Sequence, residues 1–410
     1  MKQVYLKWGG LALAAVMLIS ITALISFKVA HKSFENEFFL STSNKISFDD
    51  EKVDAAYIAK FKEIKRRIGS DFYLTYTEND LVEGAIKGMV DGLNDPYTKY
   101  YSATEMKDRN DHLQGEYIGT GIEVSAQNEE YILIGSIKDN SPADYAGLKA
   151  GDMIVAIDTR VIASFKSEEI WALFAENGRK LVLSIVRGEE SLDTELTVSN
   201  IVEQSVFSEM LDSRIGYVRI SMFDAKVSRD FTTEVDALLV KGMQAMIIDL
   251  RNNSGGLASE MTRVADSILP DGKTIYYEMD KNQVKSQIKY SDAKALNIPI
   301  VILVNGSTAS AAEIFASALR DNQMATLIGT KTFGKAVSQV TIPFEDGTGL
   351  VLTISQFFTS SDYNIQGVGL VPDVVVEPLE IYKNTKVQYI PRESDVQLTE
   401  ALQLFSATAE

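Results

Sequence analysis

The stretch Gly329-Thr-Lys-Thr-Phe-Gly-Lys-Ala-Val-Ser-Gln-Val340 decides which kind of α/β fold this chain has. Gly329, Gly334 and Lys335 have the spacing of a phosphate-cradling loop up to its last position. Such a loop continues with Ser or Thr and opens a helix. Here Ala336 follows, and the run Ala336–Ile342 is rich in β-branched residues, which predicts a strand. If the run from Lys335 is extended, Lys335, Val337 and Gln339 share one face by the period of two. The lysine is then an amine at the edge of a buried sheet with an amide two steps along, or simply an exposed turn lysine.

Composition narrows what such a lysine can serve. The 410 residues allow two or three domains, and 45% hydrophobic residues suffice for ordinary cores. A net charge of −17 argues against nucleic acid, whose phosphates need clustered Lys and Arg. Cysteine is absent, which removes thiol catalysis, disulfides and thiolate metal sites. Only His31 and His112 occur, and no H-E-x-x-H exists, so a zinc protease of that type is excluded. A Ser-His-Asp enzyme would have to rely on His112, since His31 lies beside the apolar N-terminal run; a hydrolytic mechanism otherwise calls for a base other than imidazole, and no cofactor or metal is expected.

At the N-terminus, the uncharged, mostly apolar run Trp8–Phe27 has the length of a bilayer span. It predicts a retained signal anchor in residues 1–32. With Lys2 and Lys7 inside, it predicts a single-pass cell-membrane protein whose catalytic part is extracytoplasmic. Residues 33–103 follow as a helical region, with apolar positions at i, i+3, i+4 spacing between Glu51 and Leu93, broken at Asn94-Asp95-Pro96. Residues 104–198 form a small β domain whose order resembles a PDZ domain, with Gly147–Asp152 before a strand. In that family a loop matching Gly119, Thr120, Gly121 and Ile122 binds a terminal carboxylate through backbone amides, and the peptide adds as a strand. The bland alternative is a glycine-rich hairpin without a ligand. Residues 199–378 alternate buried strands with helices, predicting a mainly parallel sheet whose chemistry gathers at strand C-termini. Residues 379–410 are a C-terminal segment.

Three strand ends in this α/β part carry unusual loops. Asn305–Ser310 turns from a strand into a helix; the helix N-terminus and the Ala311 amide would stabilise an oxyanion formed by attack of Ser310. Ser310 and Glu313 equally read as a capping box. Gly255-Gly256 ends a second strand, either as amides open to a substrate oxygen or as a flexible turn. The third is the opening stretch, where burial would make Lys335 a general base. A rival pair, Ser286 and Lys289, has β-lactamase spacing but lacks the companion motifs.

Taken in order, Asn94–Tyr100, the PDZ-like block, Gly216–Phe223, Asp249–Gly256, Val304–Ile314, Gly329–Gln339 and Ile365–Val376 resemble the carboxy-terminal processing peptidases, or tail-specific proteases. The resemblance covers roughly residues 50–376. It implies Ser310 as nucleophile, Lys335 as general base, Gln339 as its orienting partner, and Gly255, Gly256 and Ala311 amides as oxyanion hole. It implies protein substrates with accessible C-termini and a homodimer built from the helices at 50–93 and the tail at 380–410. The chain departs from the family at Ser254, where proline usually precedes the glycine pair. The expected architecture is thus a transmembrane helix, a helical region, an inserted PDZ-like domain and an α/β serine protease core. A catalytically inert PDZ adaptor is the alternative, and a nucleotide-binding protein the remote one.

Overall fold

The computed structural model describes residues 55–407 except 139, 212–213, 294 and 384. It divides into two compact units, one up to Leu81 and one from Val82 onward. In the first, α1 (Ala55–Asp71) sets Tyr57, Phe61 and Ile64 along one exposed stripe. Thr77 caps α2 (Glu78–Asp91): its Oγ1 accepts the Asp80 N–H at 3.1 Å, and Asp80 accepts the Thr77 N–H at 2.8 Å.

The second unit holds the rest of α2, then β1 (Lys99–Tyr101) and α3 (Ala103–Leu113), the latter started by a capping box between Ser102 and Glu105. The PDZ-like domain follows: β2 (Glu116–Gly119), β3 (Ile122–Gln127), β4 (Ile132–Ile137), α4 (Pro142–Tyr145), β5 (Met153–Ile157), β6 (Arg160–Val161), α5 (Ser167–Phe174), β7 (Lys180–Arg187), β8 (Glu190–Thr197) and β9 (Ser199–Val202). Its sheet runs β3-β4-β5-β7-β8, with β6 on β5, while β2 pairs with β9. Alternation along β7 sends Leu181, Leu183 and Ile185 into a core with Ile132, Ile134 and Ile154. Strand β3 is left at the edge of the sheet.

The α/β core comprises β10 (Val206–Met210), β11 (Ile215–Ile220), α6 (Val227–Val240), β12 (Ala245–Asp249), α7 (Ala258–Asp266), β13 (Thr274–Asp280), β14 (Lys285–Tyr290), β15 (Ile300–Val304), α8 (Ala311–Asp321), β16 (Ala325–Gly329), β17 (Val337–Pro343), β18 (Gly349–Thr359), β19 (Val374–Val375) and α9 (Val396–Ala407). Its main sheet has the order β10-β11-β12-β15-β16-β19 and is parallel except for β10 on β11. β12 and β15 are buried at every position because both sheet faces are covered. Met246, Ile248, Ile300 and Ile302 pack against α6, α7 and α8, while Ile247, Val301 and Leu303 meet Leu398 and Ala401 of α9. A second, antiparallel sheet has β18 at its centre, with β17 on one side and β1 and β13 on the other.

One expectation is corrected. Among the described residues no helix is long and apolar enough to cross a membrane. Residues 8–27, on which a span was placed, lie outside the described residues. The architecture is therefore a mixed α/β multidomain chain without a supported membrane helix, and the single-pass, extracytoplasmic placement is withdrawn with it.

Candidate active site

The opening stretch is not a phosphate loop, because a strand and not a helix follows Lys335. Residues 331–336 form a loop after β16. In β17 a register shift falls between Ser338 and Gln339, yet the expected meeting of lysine and amide occurs: Lys335 Nζ donates to Gln339 Oε1 at 3.0 Å. The amine is partly buried and lies 4.8 Å from the Tyr97 ring centroid. Burial lowers its pKa, Arg109 and Lys99 add to the effect, and Asp95 opposes it.

Ser310 stands at the N-terminus of α8 with φ 57° and ψ −122°. A positive φ at a non-glycine residue is strained and is held only by its surroundings. Those surroundings are explicit. Buried Thr308 donates from Oγ1 to Leu250 O at 2.9 Å, and Ala309 N–H donates to Asn253 O at 2.9 Å. Ser310 and Glu313 occupy capping-box positions, and Ser310 N–H donates to Glu313 Oε2 at 2.9 Å. The Glu313 amide also bonds the Ser310 carbonyl at 2.9 Å.

Glu313 does more than its capping position indicates. Its fully buried carboxylate also accepts the Thr332 hydroxyl, the Gly334 N–H at 2.7 Å and the Lys335 N–H at 2.8 Å. The serine loop and the lysine loop are thereby tied through one side chain. Burial pushes this carboxyl up, and the four donated hydrogen bonds oppose the push. Among the described residues no hydrogen bond joins Ser310 Oγ to Lys335 Nζ; in this structure the amine is held by Gln339.

The glycine pair packs beside the serine. Gly255 and Gly256 have φ of +108° and +131°, and a Cβ on Gly255 would fall 2.9 Å from Ser310 Cβ and 3.1 Å from Ala311 N. Gly255 N–H is taken by Asn253 Oδ1 at 2.8 Å, while the Gly256 and Ala311 N–H groups bond no acceptor among the described residues. Buried Asn253 also donates to Ile220 O at 2.9 Å, so it anchors this turn to β11. Sequence reasoning passed over Asn253, Thr332 and Tyr97; the single advance signal was that each falls inside one of the ordered motifs. Ser286 lies on β14 and the Lys289 partner on the same strand, within the second sheet.

In the PDZ-like domain, Gly119 ends β2 and Ile122 starts β3. Between them the Thr120 carbonyl accepts Ala143 N–H at 2.9 Å and the Gly121 carbonyl accepts Lys138 N–H at 2.9 Å. Gly121 has φ +83°, and a Cβ there would lie 2.2 Å from Ser141 Cβ, so the loop tolerates only glycine. The four residues form a turn at the entry to an edge strand.

Comparison with known proteins agrees with this layout. A model described as peptidase family S41 matches residues 214–376, a PDZ-domain model matches 117–198, and a model for the N-terminal domain of the activating protease CtpB matches 19–105. The chain is 33% identical over 320 residues to the carboxy-terminal processing protease CtpA of Bacillus subtilis, covering 78% of this chain and 68% of that protein. It is 33% identical over 367 residues to the carboxy-terminal-processing protease of Bartonella bacilliformis, covering 85% and 83%. A solved putative S41 protease from Bacteroides fragilis shares the fold, with TM-score 0.55, 17% identity, and coverage of 89% of this chain and 100% of that one. The chain therefore belongs to the carboxy-terminal processing proteases of peptidase family S41, serine-type peptidases that here carry a PDZ domain.

Proposed function

We propose that the protein is an endopeptidase that captures the C-terminal tail of a protein substrate and cleaves it through Ser310 and Lys335. The tail's carboxylate is received by the Gly119–Ile122 turn, and its chain adds to the open edge of β3. Neutral Lys335 takes the proton of Ser310 as the hydroxyl attacks the peptide carbonyl. An acyl-enzyme forms, the amine fragment leaves with a proton, and water releases the acid. The Gly256 and Ala311 N–H groups stabilise the oxyanion, with Asn253 holding the neighbouring Gly255 amide in place. Gln339 orients the amine. The observation that carries this reading is the shared anchoring of the Ser310 and Lys335 backbones on Glu313. For reaction, the neutral Lys335 amine keeps donating to Gln339 while its lone pair accepts the proton of the Ser310 hydroxyl.

Ser310→Ala and Lys335→Ala proteins are tested on an unstructured polypeptide. Each is expected to lose several orders of magnitude in kcat/KM. Cleavage at the unmodified rate by either variant would refute the assignment. The second reading, an inert tail-binding adaptor, draws on the missing hydrogen bond between Ser310 and Lys335. It is favoured if the unmodified protein neither turns over substrate nor reacts at Ser310 with a serine-directed phosphonate.

We further infer a homodimer. The exposed stripe of Tyr57, Phe61 and Ile64 on α1, 69%, 51% and 52% accessible, is apolar surface of the kind a second copy covers. Sedimentation at micromolar concentration tests this; a monomer contradicts it.

A further inference from the structure

Residues 95–98 lie between α2 and β1, ahead of the PDZ domain and 242 positions from Gln339 in the case of Tyr97. They nevertheless close over the candidate base. Gln339 Nε2 donates to the Tyr97 carbonyl at 2.5 Å, and the Tyr97 ring flanks the Lys335 amine. A carbonyl only accepts, so the nitrogen end of the Gln339 amide must face Tyr97. The oxygen end is then turned to Lys335, where it receives the amine at 3.0 Å. Without the carbonyl, only the Lys335 amine, which when neutral can bond either end of the amide, is left to orient it.

The loop that presents this carbonyl is itself pinned. Asp95 accepts the Tyr97 N–H at 3.1 Å on one oxygen and the Thr98 hydroxyl at 2.6 Å on the other. Thr98, which is buried, accepts the Thr353 N–H of β18 at 3.1 Å. Burial pushes the Asp95 carboxyl up, but the Thr98 hydroxyl and the loop amides outweigh it and hold the carboxyl below its usual range. The loop is thus fastened to β18, the same strand on which β17 and Gln339 are registered.

We propose that Asp95, Tyr97 and Thr98 are positioning residues for the catalytic base. Asp95 and Thr98 fix the loop, the Tyr97 carbonyl fixes the Gln339 amide, and the Gln339 oxygen fixes the Lys335 amine. The inference rests on the reading of Lys335 as base, and its test separates the two. Neither Asp95 nor Thr98 touches the reacting atoms, so, apart from the direct charge of Asp95 on the amine, which Asp95→Asn removes while keeping the acceptor, their influence must pass through Gln339.

The experiment is a double-mutant cycle on the full chain, reading kcat and KM for an unstructured polypeptide together with the unfolding midpoint. Asp95→Ala is expected to lower kcat about tenfold with KM little changed. In a Gln339→Ala background the same substitution is expected to change kcat by less than about twofold. Thr98→Val, which keeps the β-branched shape, repeats the pattern if Asp95→Ala fails to fold. Asp95→Asn, which retains the acceptor for the Tyr97 amide, recovers part of the loss. Additive effects in the cycle, or unchanged kcat in both loop variants of an active enzyme, overturn the positioning role alone. Full activity of Lys335→Ala would remove the base itself, and this inference with it.

Discussion

Ser310 and Lys335 donate their backbone N–H groups to the same atom, Oε2 of Glu313, at 2.9 and 2.8 Å. Two loops from different strand ends are brought together by a carboxylate at their centre. Glu313→Gln keeps the volume but can turn only one oxygen to the four donors, leaving buried N–H groups unpaired. We expect a loss of about 1–3 kcal/mol in stability and at least about tenfold in kcat. Unfolding and turnover measured on that variant check both. An active, equally stable Glu313→Gln protein would show that the two loops are held by other contacts.

The acid limb of the pH–activity profile reports the amine. Burial, with Arg109 and Lys99, places the Lys335 pKa below that of a free lysine. The neutral, proton-accepting form therefore appears at lower pH than for an exposed lysine, and kcat/KM rises with pH through that lowered value. The same shift acts on stability. Because the folded state binds the proton less tightly than the unfolded chain, folding is unpenalised above the ordinary lysine pKa. The penalty grows as pH falls from there to the folded pKa, and is constant below it. Lys335→Met is thus expected to raise the unfolding midpoint at neutral pH while abolishing turnover. A limb at the ordinary lysine value, or a destabilised Met variant, would contradict the burial argument.

The turn at Ser254 offers a gain-of-function test. Ser254 is exposed and its N–H bonds nothing among the described residues, so proline removes no hydrogen bond there. Ser254→Pro narrows the unfolded ensemble and is expected to stabilise by about 0.4–1 kcal/mol, with kcat equal or higher. Gly256→Ala is the opposite case. Its Cβ would fall 2.3 Å from the Phe223 carbonyl at φ +131°, displacing a candidate oxyanion donor. A loss of about a hundredfold in kcat is expected, read from turnover with binding of a tail peptide unchanged.

How far the sequence could reveal these relationships depended on the range of each interaction. Ala245–Asp249 and Ile300–Val304 were readable as buried strands because covering both sheet faces leaves an unbroken apolar run. The strand after Lys335 was readable from Val337 and its β-branched neighbours, which excluded the phosphate loop. Glu313 was visible only as the third residue of a capping box, since local spacing cannot show that the carboxylate meets a loop 22 residues later. Tyr97 was hidden more deeply. It acts on Gln339 through a backbone carbonyl, which every residue type possesses, so no side-chain pattern marks it. The apolar run at 8–27, on which a membrane expectation was placed, lies outside the described residues.

Fully buried Arg251, two residues after β12, pairs with Asp249 at 2.6 Å and with Asp395 at 2.7 Å, and also donates to Gln397 at 3.0 Å. Asp395 lies immediately before α9, whose Leu398 and Ala401 cover the sheet beneath β12 and β15. The guanidinium therefore fastens the C-terminal helix to the strand that leads into the Asn253–Gly256 turn. Removing one partner leaves a buried charge half-compensated, which is far more costly than losing an exposed ion pair. Asp395→Ala is expected to destabilise the core by about 3–5 kcal/mol, seen as a lowered denaturation midpoint. Leu398→Ala is expected to cost about 2–5 kcal/mol through the cavity it leaves under the sheet. If Asp395→Ala unfolds at the unmodified midpoint while Leu398→Ala does not, α9 is held by its apolar face alone and the ion triad contributes nothing to the turn.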